Sequence, residues 1–275
     1  MICFPNAKIN IGLQIKGKRK DGFHNIETVF YPVTLSDILE ITPFEGAPGD
    51  YKLINTGDRI DVDPGENLCV TAWSEINKIR SLPAVSIHIH KIIPSGAGLG
   101  GGSSDAAFVL KGLSEYFSLK ISGDELASIA GGIGSDCPFF LSGKPSIATG
   151  RGEILKPAGI DLSGMLILLV FPGISVNTGW AYSNIRIMKH PEPVEDIIKA
   201  NPGNWQGRLT NDFEAVVFKE YPVIRKIRNK LLTLGALYAS MTGSGSAVFG
   251  LFDQKAGLTD LKHKFPGMFT WEGIL

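Results

Sequence analysis

The residues best suited to chemistry lie in one glycine-rich run near the middle of the chain. It reads Pro94-Ser-Gly-Ala-Gly-Leu-Gly-Gly-Gly-Ser-Ser104 and places five glycines between a predicted strand and a predicted helix. Glycine permits sharp turns and lets a ligand approach the backbone amides closely. Successive amides form a concave site for an anion, and the positive end of the following helix adds to the attraction. The run therefore predicts a phosphate-binding loop.

Each known type of nucleotide-binding loop requires particular residues at particular positions. Gly96 to Ser103 has the spacing of a Walker A motif, but Gly-Gly-Ser replaces Gly-Lys-Ser, so the P-loop interpretation fails. Gly96, Gly98 and Gly101 match the dinucleotide-binding pattern, which leaves an oxidoreductase open, although Pro94 interrupts the expected entry from a strand. The His-Arg-Asp and Asp-Phe-Gly motifs of protein kinases do not occur in the sequence.

The run is similar to the phosphate-binding signature of the GHMP kinases, which include galactokinase, homoserine kinase, mevalonate kinase and phosphomevalonate kinase. Pro5-Asn-Ala-Lys-Ile-Asn10 resembles the N-terminal motif of that family, and Thr242-Gly-Ser-Gly-Ser246 resembles its third, glycine-rich motif. The resemblance implies that ATP is the phosphate donor, with Mg²⁺ bridging its oxygens. No protein ligand of the metal is assigned. The expected ATP site consists of Pro94, Ser95, Gly96, Ala97, Gly98, Leu99, Gly100, Gly101, Gly102, Ser103 and Ser104.

The resemblance also implies a fold and a division of the chain. We expect an α+β protein with a ribosomal-protein-S5-like α/β domain over residues 1–154, a ferredoxin-like α+β domain over 155–275, and the site in the cleft between them. The mixed order of strands and helices also favours an α+β class. Periodicity predicts strands at 8–15, 26–33, 38–41, 51–54, 85–93, 166–171, 236–241 and 247–252, and helices at 68–79, 103–117, 124–130, 136–141, 213–219 and 223–234.

By the same resemblance, Asp136 is the base that takes the proton of the acceptor alcohol, and Lys8 is its partner, which stabilises the developing alkoxide. Asn10 is expected to contact the substrate near its hydroxyl. The residues alone leave other interpretations open. Asp136 precedes Pro138 and is also suited to capping a helix, and Lys8 is also suited to the solvated face of a strand.

Four further stretches resemble one branch of the GHMP kinases, which phosphorylates the 2-hydroxyl of 4-diphosphocytidyl-2-C-methyl-D-erythritol in the non-mevalonate isoprenoid pathway. They are Asp21-Gly-Phe-His24, Gly134-Ser-Asp-Cys-Pro-Phe-Phe140, Gly150-Arg-Gly-Glu153 and Phe171-Pro-Gly-Ile-Ser-Val-Asn-Thr178. The resemblance implies that Phe23 and Tyr182 sandwich the cytosine, that His24 hydrogen-bonds its edge, and that Thr178 contacts the substrate. Phe23 stands where the branch often has tyrosine. Another GHMP kinase, of the homoserine or mevalonate type, and an inactive GHMP-fold sensor remain alternatives.

Composition and charge argue against several kinds of binding partner. Lys+Arg and Asp+Glu both number 27, so the formal net charge is zero, which argues against a protein that coats nucleic acid or a membrane. The seven apolar residues from Met165 to Phe171 are too few for a membrane span of about 20 residues. The first residues lack a signal-peptide pattern, and the cysteines lack disulfide or zinc spacing. We therefore expect a cytoplasmic monomer or homodimer that acts on a small molecule.

Overall fold

The computed structural model describes residues 1–58, 65, 67–253 and 261–275. Its strands in chain order are β1 (Ile2–Cys3), β2 (Asn6–Lys18), β3 (His24–Ser36), β4 (Ile38–Pro43), β5 (Tyr51–Gly57), β6 (Val85–Lys91), β7 (Ser146–Thr149), β8 (Ile154–Pro157), β9 (Leu166–Phe171), β10 (Tyr238–Met241), β11 (Val248–Phe252) and β12 (Phe269–Ile274). Its α-helices are α1 (Leu68–Ile79), α2 (Gly101–Tyr116), α3 (Gly123–Ile133), α4 (Cys137–Ser142), α5 (Thr178–Asn184), α6 (Val194–Ile197), α7 (Glu214–Glu220) and α8 (Pro222–Thr233).

The chain forms two compact units that are interleaved in sequence. Unit 1 consists of Met1–Ala7, Leu35–Ser95 and Gly100–Lys144, and unit 2 consists of Lys8–Thr34, Gly96–Leu99 and Pro145–Leu275. Strands β2 and β3 therefore contribute mainly to unit 2, although they lie early in the chain. The predicted division into 1–154 and 155–275 stays a prediction.

Unit 1 is built on a four-stranded sheet in the order β1-β4-β6-β5, in which β5 runs parallel to β6. The strand predicted at 85–93 is present as β6, and Val85, Ile87 and Ile89 on one of its faces are buried in the core. On the other face, the rings of His88 and His90 both lie within hydrogen-bond distance of the Thr56 hydroxyl. These two histidines therefore lie on the polar face of the strand.

Helices cover the apolar face of this sheet, and α1 packs against α2. The predicted start of α2 was wrong by two residues. Helix α2 begins at Gly101 instead of Ser103, because Gly100 is its N-cap in the left-handed conformation. Helix α3 begins at Gly123 and is capped by Ser122, whose hydroxyl accepts a hydrogen bond from the Glu125 N–H at 3.2 Å.

Unit 2 contains two four-stranded sheets, with strand orders β2-β3-β7-β8 and β10-β11-β9-β12. The second is antiparallel and packs against α8, which buries Ile224, Ile227 and Leu231. Gly235 follows α8 with φ +98°, the left-handed conformation typical of a helix C-terminal cap. None of the helices in the described ranges is both long and apolar enough to cross a membrane.

Candidate active site

The middle of the glycine run is fixed through its carbonyl groups. Within unit 2, the carbonyl of Ala97 accepts the N–H of Ala247 at 3.0 Å, and the carbonyl of Leu99 accepts the N–H of Lys8 at 3.0 Å. The carbonyl of Gly98 lies 3.2 Å from the Thr242 hydroxyl. The loop is thus tied at three successive residues to the beginning of β2 and to the turn between β10 and β11.

Gly98 shows why the run needs glycine at this point. Its φ is +79°, in the left-handed region that side chains disfavour. A Cβ atom on Gly98 would also lie 2.3 Å from the backbone oxygen of Thr242, which is fixed in the turn. A larger residue would therefore separate the loop from the turn that holds it.

Helix α2 begins inside the glycine run. Its first internal hydrogen bond runs from the N–H of Ser104 to the carbonyl of Gly100, at 2.9 Å. The N–H groups of Gly101, Gly102 and Ser103 therefore have no acceptor within the helix. Ser104 is buried, and its hydroxyl has no hydrogen-bond partner among the described residues. These are donors that an anionic ligand can use.

Lys8 is not a solvated strand lysine. Its side chain is buried on β2, its ammonium donates to Oδ1 of Asn10, and it lies 4.9 Å from the centre of the Phe30 ring. Asn10 in turn donates from Nδ2 to the Thr28 hydroxyl at 3.1 Å. Lys8 and Asn10, which were predicted separately, thus belong to one hydrogen-bonded group.

Thr242 joins that group to the glycine run. Its buried hydroxyl accepts the backbone N–H of Asn10 at 3.0 Å, and it lies 3.2 Å from both Asn10 Oδ1 and the Gly98 carbonyl. Since a hydroxyl has one proton, the two acceptors share it. The N-terminal motif, the loop and the third motif therefore meet at one side chain in unit 2.

Two residues that the sequence did not single out hold the third motif. Asn211 donates from Nδ2 to the carbonyls of Met241 and Gly243, both at 2.8 Å. Glu214 accepts the N–H of Met241 at 2.8 Å, and burial raises the pKa of its carboxyl. The available signal was Asn211, just before the predicted helix at 213–219, and Glu214, in its first turn, but polar residues at a helix start usually only cap the helix.

Asp136 occupies the N-cap position of α4, in unit 1, but its side chain makes no capping hydrogen bond. Helix capping therefore does not account for this carboxylate. The adjacent Cys137 is buried, and burial raises its pKa to about 12, although a hydrogen bond from Ser103 opposes the shift. Its thiol stays protonated and is not a nucleophile at neutral pH.

Two of the aromatic residues predicted for the cytosine, His24 and Tyr182, contact each other in unit 2. The ring of His24 stacks on Tyr182, with centroids 4.8 Å apart and planes 18° apart, and the edge of Phe213 contacts Tyr182. Phe23 is 54% exposed, and the guanidinium of Arg151 lies 4.9 Å from its ring centre. Burial, followed by the charge of Lys18, lowers the pKa of His24, which favours the neutral imidazole.

Thr178, the other predicted substrate contact, is the first residue of α5. Its hydroxyl lies 2.8 Å from that of Ser244, in the third motif. Helix α5, whose N-cap is Asn177, has no periodic signal in the sequence and was not predicted. The structure therefore connects Thr178 to the same turn that contacts Asn10.

Comparison with known proteins decides the family. Two family models match, "GHMP kinases N terminal domain" over residues 67–144 and "GHMP kinases C terminal" over residues 188–269. The chain belongs to the GHMP kinase family. It is 45% identical over 261 residues, 95% of each chain, to a Bacteroides fragilis protein, and 44% identical over the whole of both chains to one from Parabacteroides distasonis. Both relatives are named 4-diphosphocytidyl-2-C-methyl-D-erythritol kinase.

Solved structures agree with this membership. A crystal structure of 4-(cytidine 5'-diphospho)-2C-methyl-D-erythritol kinase is 35% identical and superposes with a TM-score of 0.76, covering 91% of this chain and 90% of that one. The mevalonate kinase of Methanococcus jannaschii is 14% identical, covers 99% of this chain and 97% of its own, and shares the fold with a TM-score of 0.65. The predicted GHMP kinase fold and membership in a family of ATP-dependent kinases are confirmed, and the dinucleotide interpretation of Gly96, Gly98 and Gly101 was wrong.

Proposed function

We propose that this GHMP kinase transfers the γ-phosphoryl group of ATP to the 2-hydroxyl of 4-diphosphocytidyl-2-C-methyl-D-erythritol, in the non-mevalonate isoprenoid pathway. The observation that carries the proposal is the 44–48% identity, over nearly the full chain, to relatives that bear this enzyme's name. The grouping of His24 and Tyr182 in one unit supports it. We further propose that the enzyme acts in the cytoplasm as a monomer or homodimer.

The phosphates of ATP would be held by the glycine run and the beginning of α2. The N–H groups of Gly101, Gly102 and Ser103, and the unpartnered hydroxyl of Ser104, would supply donors to phosphate oxygens. The Ser103 hydroxyl, which hydrogen-bonds Cys137, would turn toward the phosphates. The described residues contain no group of three or more His, Cys, Asp or Glu that could hold a metal. This fits Mg²⁺, which usually keeps waters and is bound through the substrate's phosphates. When bound, Mg²⁺ neutralises charge on the phosphates.

Lys8 and Asp136 are proposed to carry the chemistry on the acceptor. As the acceptor oxygen forms its bond to the γ-phosphorus, the bond from that phosphorus to the β-phosphate oxygen breaks and ADP leaves. Asp136 takes the acceptor's proton, and Lys8 stabilises the negative charge on the acceptor oxygen. Asn10 orients Lys8 through the hydrogen bond to its ammonium. Burial of Lys8 supports this role, because a buried ammonium is strongly attracted to a developing negative charge.

Recognition of cytosine is proposed to involve Phe23, His24 and Tyr182. Tyr182 already carries the His24 ring at stacking distance, so a base cannot stack on that face until His24 moves aside. We propose that cytosine replaces His24 against Tyr182 and that Phe23 covers its other face. A neutral imidazole has one donor and one acceptor, which suits the edge of cytosine.

A substrate panel tests the proposal. Purified protein with Mg-ATP would be given 4-diphosphocytidyl-2-C-methyl-D-erythritol, homoserine or mevalonate, and ADP release and product mass would be measured. ADP release with one phosphoryl group added to the cytidyl compound is expected. Phosphorylation of homoserine or mevalonate instead would refute the substrate, and ATP binding without turnover of any acceptor would support an inactive sensor.

A pair of variants tests the pocket. Phe23→Ala should raise the KM for the cytidyl substrate about tenfold, since base–aromatic stacking contributes roughly 1–3 kcal/mol. Tyr116→Ala, at an exposed aromatic residue at the end of α2, should leave that KM unchanged. An unchanged KM in Phe23→Ala would remove Phe23 from the pocket.

A further inference from the structure

A buried ion network lies beside the glycine run in unit 1. Lys91 is the last residue of β6, and its ammonium donates to Oδ2 of Asp37 and to Oδ2 of Asp105, the latter at 2.7 Å. The three side chains are between 0% and 4% exposed. Neither sequence motifs nor the proposed reaction assigns them a role.

The network connects the two ends of the glycine run. Oδ1 of Asp37 accepts the N–H groups of Ile92 and Ile93, at 2.5 and 2.8 Å, immediately before Pro94. Asp105 lies in the second turn of α2, just after the run. Lys91 therefore links the entrance of the run to its exit through two carboxylates.

The Lys91 ammonium also lies against Gly101, the first residue of α2. A Cβ atom on Gly101 would be 3.2 Å from Lys91 Nζ and 3.0 Å from Ile93 Cγ2. The backbone of Gly101 is thus close-packed against the network. Any shift of Lys91 would be transmitted to the residue whose N–H begins the proposed phosphate site.

Electrostatics hold the lysine in place. Burial alone lowers the pKa of Lys91, but its pairing with Asp105 and Asp37 outweighs that effect and leaves the pKa raised. Burial raises the pKa of Asp105 to about 7, with Lys91 opposing the shift and Asp37 adding to it. Two carboxylates therefore compete for one ammonium, which remains charged and directed at them.

We propose that Lys91, together with Asp37 and Asp105, is a positioning residue that fixes the spacing between the entrance and exit of the glycine run, and that it does not bind phosphate itself. The proposal rests on the proposed function in one respect, that the run binds the phosphates of ATP. In this proposal the buried Lys91 acts on the conformation of the loop. The lysine of a Walker A motif, in contrast, contacts the phosphates directly.

Direct nucleotide binding tests the proposal without requiring turnover. Isothermal titration of Mg-ADP into Lys91→Met should show a Kd at least tenfold above that of the parent. Lys111→Met, at an exposed lysine of α2, should leave the Kd unchanged. Turnover serves only as a control for general loss of structure, which would raise the KM for the cytidyl acceptor as well as the Kd. That KM should stay within twofold of the parent in both variants.

A second variant distinguishes a positioning role from a purely electrostatic one, because the two predict opposite changes in nucleotide affinity. Asp105→Leu removes a negative charge near an anion site, so electrostatics alone would make nucleotide binding tighter. Positioning predicts the opposite, a Kd several-fold weaker, because the link between Lys91 and α2 is lost. Asp105→Asn retains an acceptor for Lys91 and should bind nearly as tightly as the parent.

A folded Lys91→Met variant with the parental Kd, or tighter binding by Asp105→Leu, would overturn the proposal. If Lys91→Met does not fold, the comparison of Asp105→Leu with Asp105→Asn decides. If the parent binds Mg-ADP but does not phosphorylate the cytidyl compound, only the proposed substrate fails. If the parent does not bind Mg-ADP, both proposals fail.

Discussion

Replacing Thr242 with valine tests whether the group around Lys8 depends on one hydroxyl. The hydroxyl accepts the N–H of Asn10 and lies within hydrogen-bond distance of Asn10 Oδ1 and the carbonyl of Gly98. Valine has nearly the same shape but offers no polar atom. The substitution therefore removes the hydrogen bonds while nearly keeping the volume of the side chain.

The expected loss of stability follows from the buried polar groups that lose their hydrogen-bond partner. Thr242 is fully buried, so the N–H of Asn10 and the carbonyl of Gly98 lose a partner without gaining water. An unsatisfied buried group costs about 1–3 kcal/mol, so the two groups together should cost roughly 2–6 kcal/mol of stability. At roughly 2–4 °C per kcal/mol for a chain of this size class, the Tm should fall by about 4–24 °C.

Turnover should suffer more than stability. Asn10 holds the ammonium of Lys8, and loss of a preorganised donor at a developing charge costs about 100-fold or more in kcat. Both kcat and Tm would be measured for Thr242→Val and for Thr242→Ser, which retains the hydroxyl and should stay close to the parent. A parental kcat in a less stable Thr242→Val protein would refute the link between this turn and Lys8.

Three further predictions concern other parts of the site. Asp136→Asn should retain Mg-ADP binding by titration but lose about 100-fold or more in kcat, and a parental rate would exclude Asp136 as the base. Gly98→Ala should abolish nucleotide binding because its Cβ would meet the backbone oxygen of Thr242 at 2.3 Å, whereas Gly123→Ala, at the start of α3 with nothing within 4 Å, should bind normally. Because its pKa is lowered, neutral His24 should keep the KM for the cytidyl substrate constant across neutral pH, with a rise only in acid; a rise beginning above pH 7 would contradict this.

Some elements could be predicted from sequence almost to the residue. Helix α1 and strand β9 have their predicted bounds, 68–79 and 166–171. In α1 the apolar spacing is regular and Asn67 caps the helix, and β9 is an uninterrupted apolar run. Local sequence alone determines such signals.

Other elements depend on partners distant in sequence. Strand β7 has only four residues, and its pairing of Ala148 with Thr28 of β3 joins positions that no local pattern connects. The burial of Lys8 could not be predicted for the same reason, since Phe30 lies on a different strand and Thr242 lies near the other end of the chain. The motifs identified the candidate chemistry, and tertiary contacts determined its surroundings.

The two glycine motifs show why motif residues alone do not determine binding strength. Glycine permits the backbone conformations of these turns, but it also has the most conformational freedom to lose, so a glycine run by itself would not stay in one shape. The turn after Met241 is held by Asn211, and the ends of the run before α2 are held by Asp37 and Lys91. A loop held in its binding shape before the ligand arrives loses less entropy on binding. Two chains with identical glycine motifs should therefore differ in nucleotide affinity when only one of them retains these buried polar contacts.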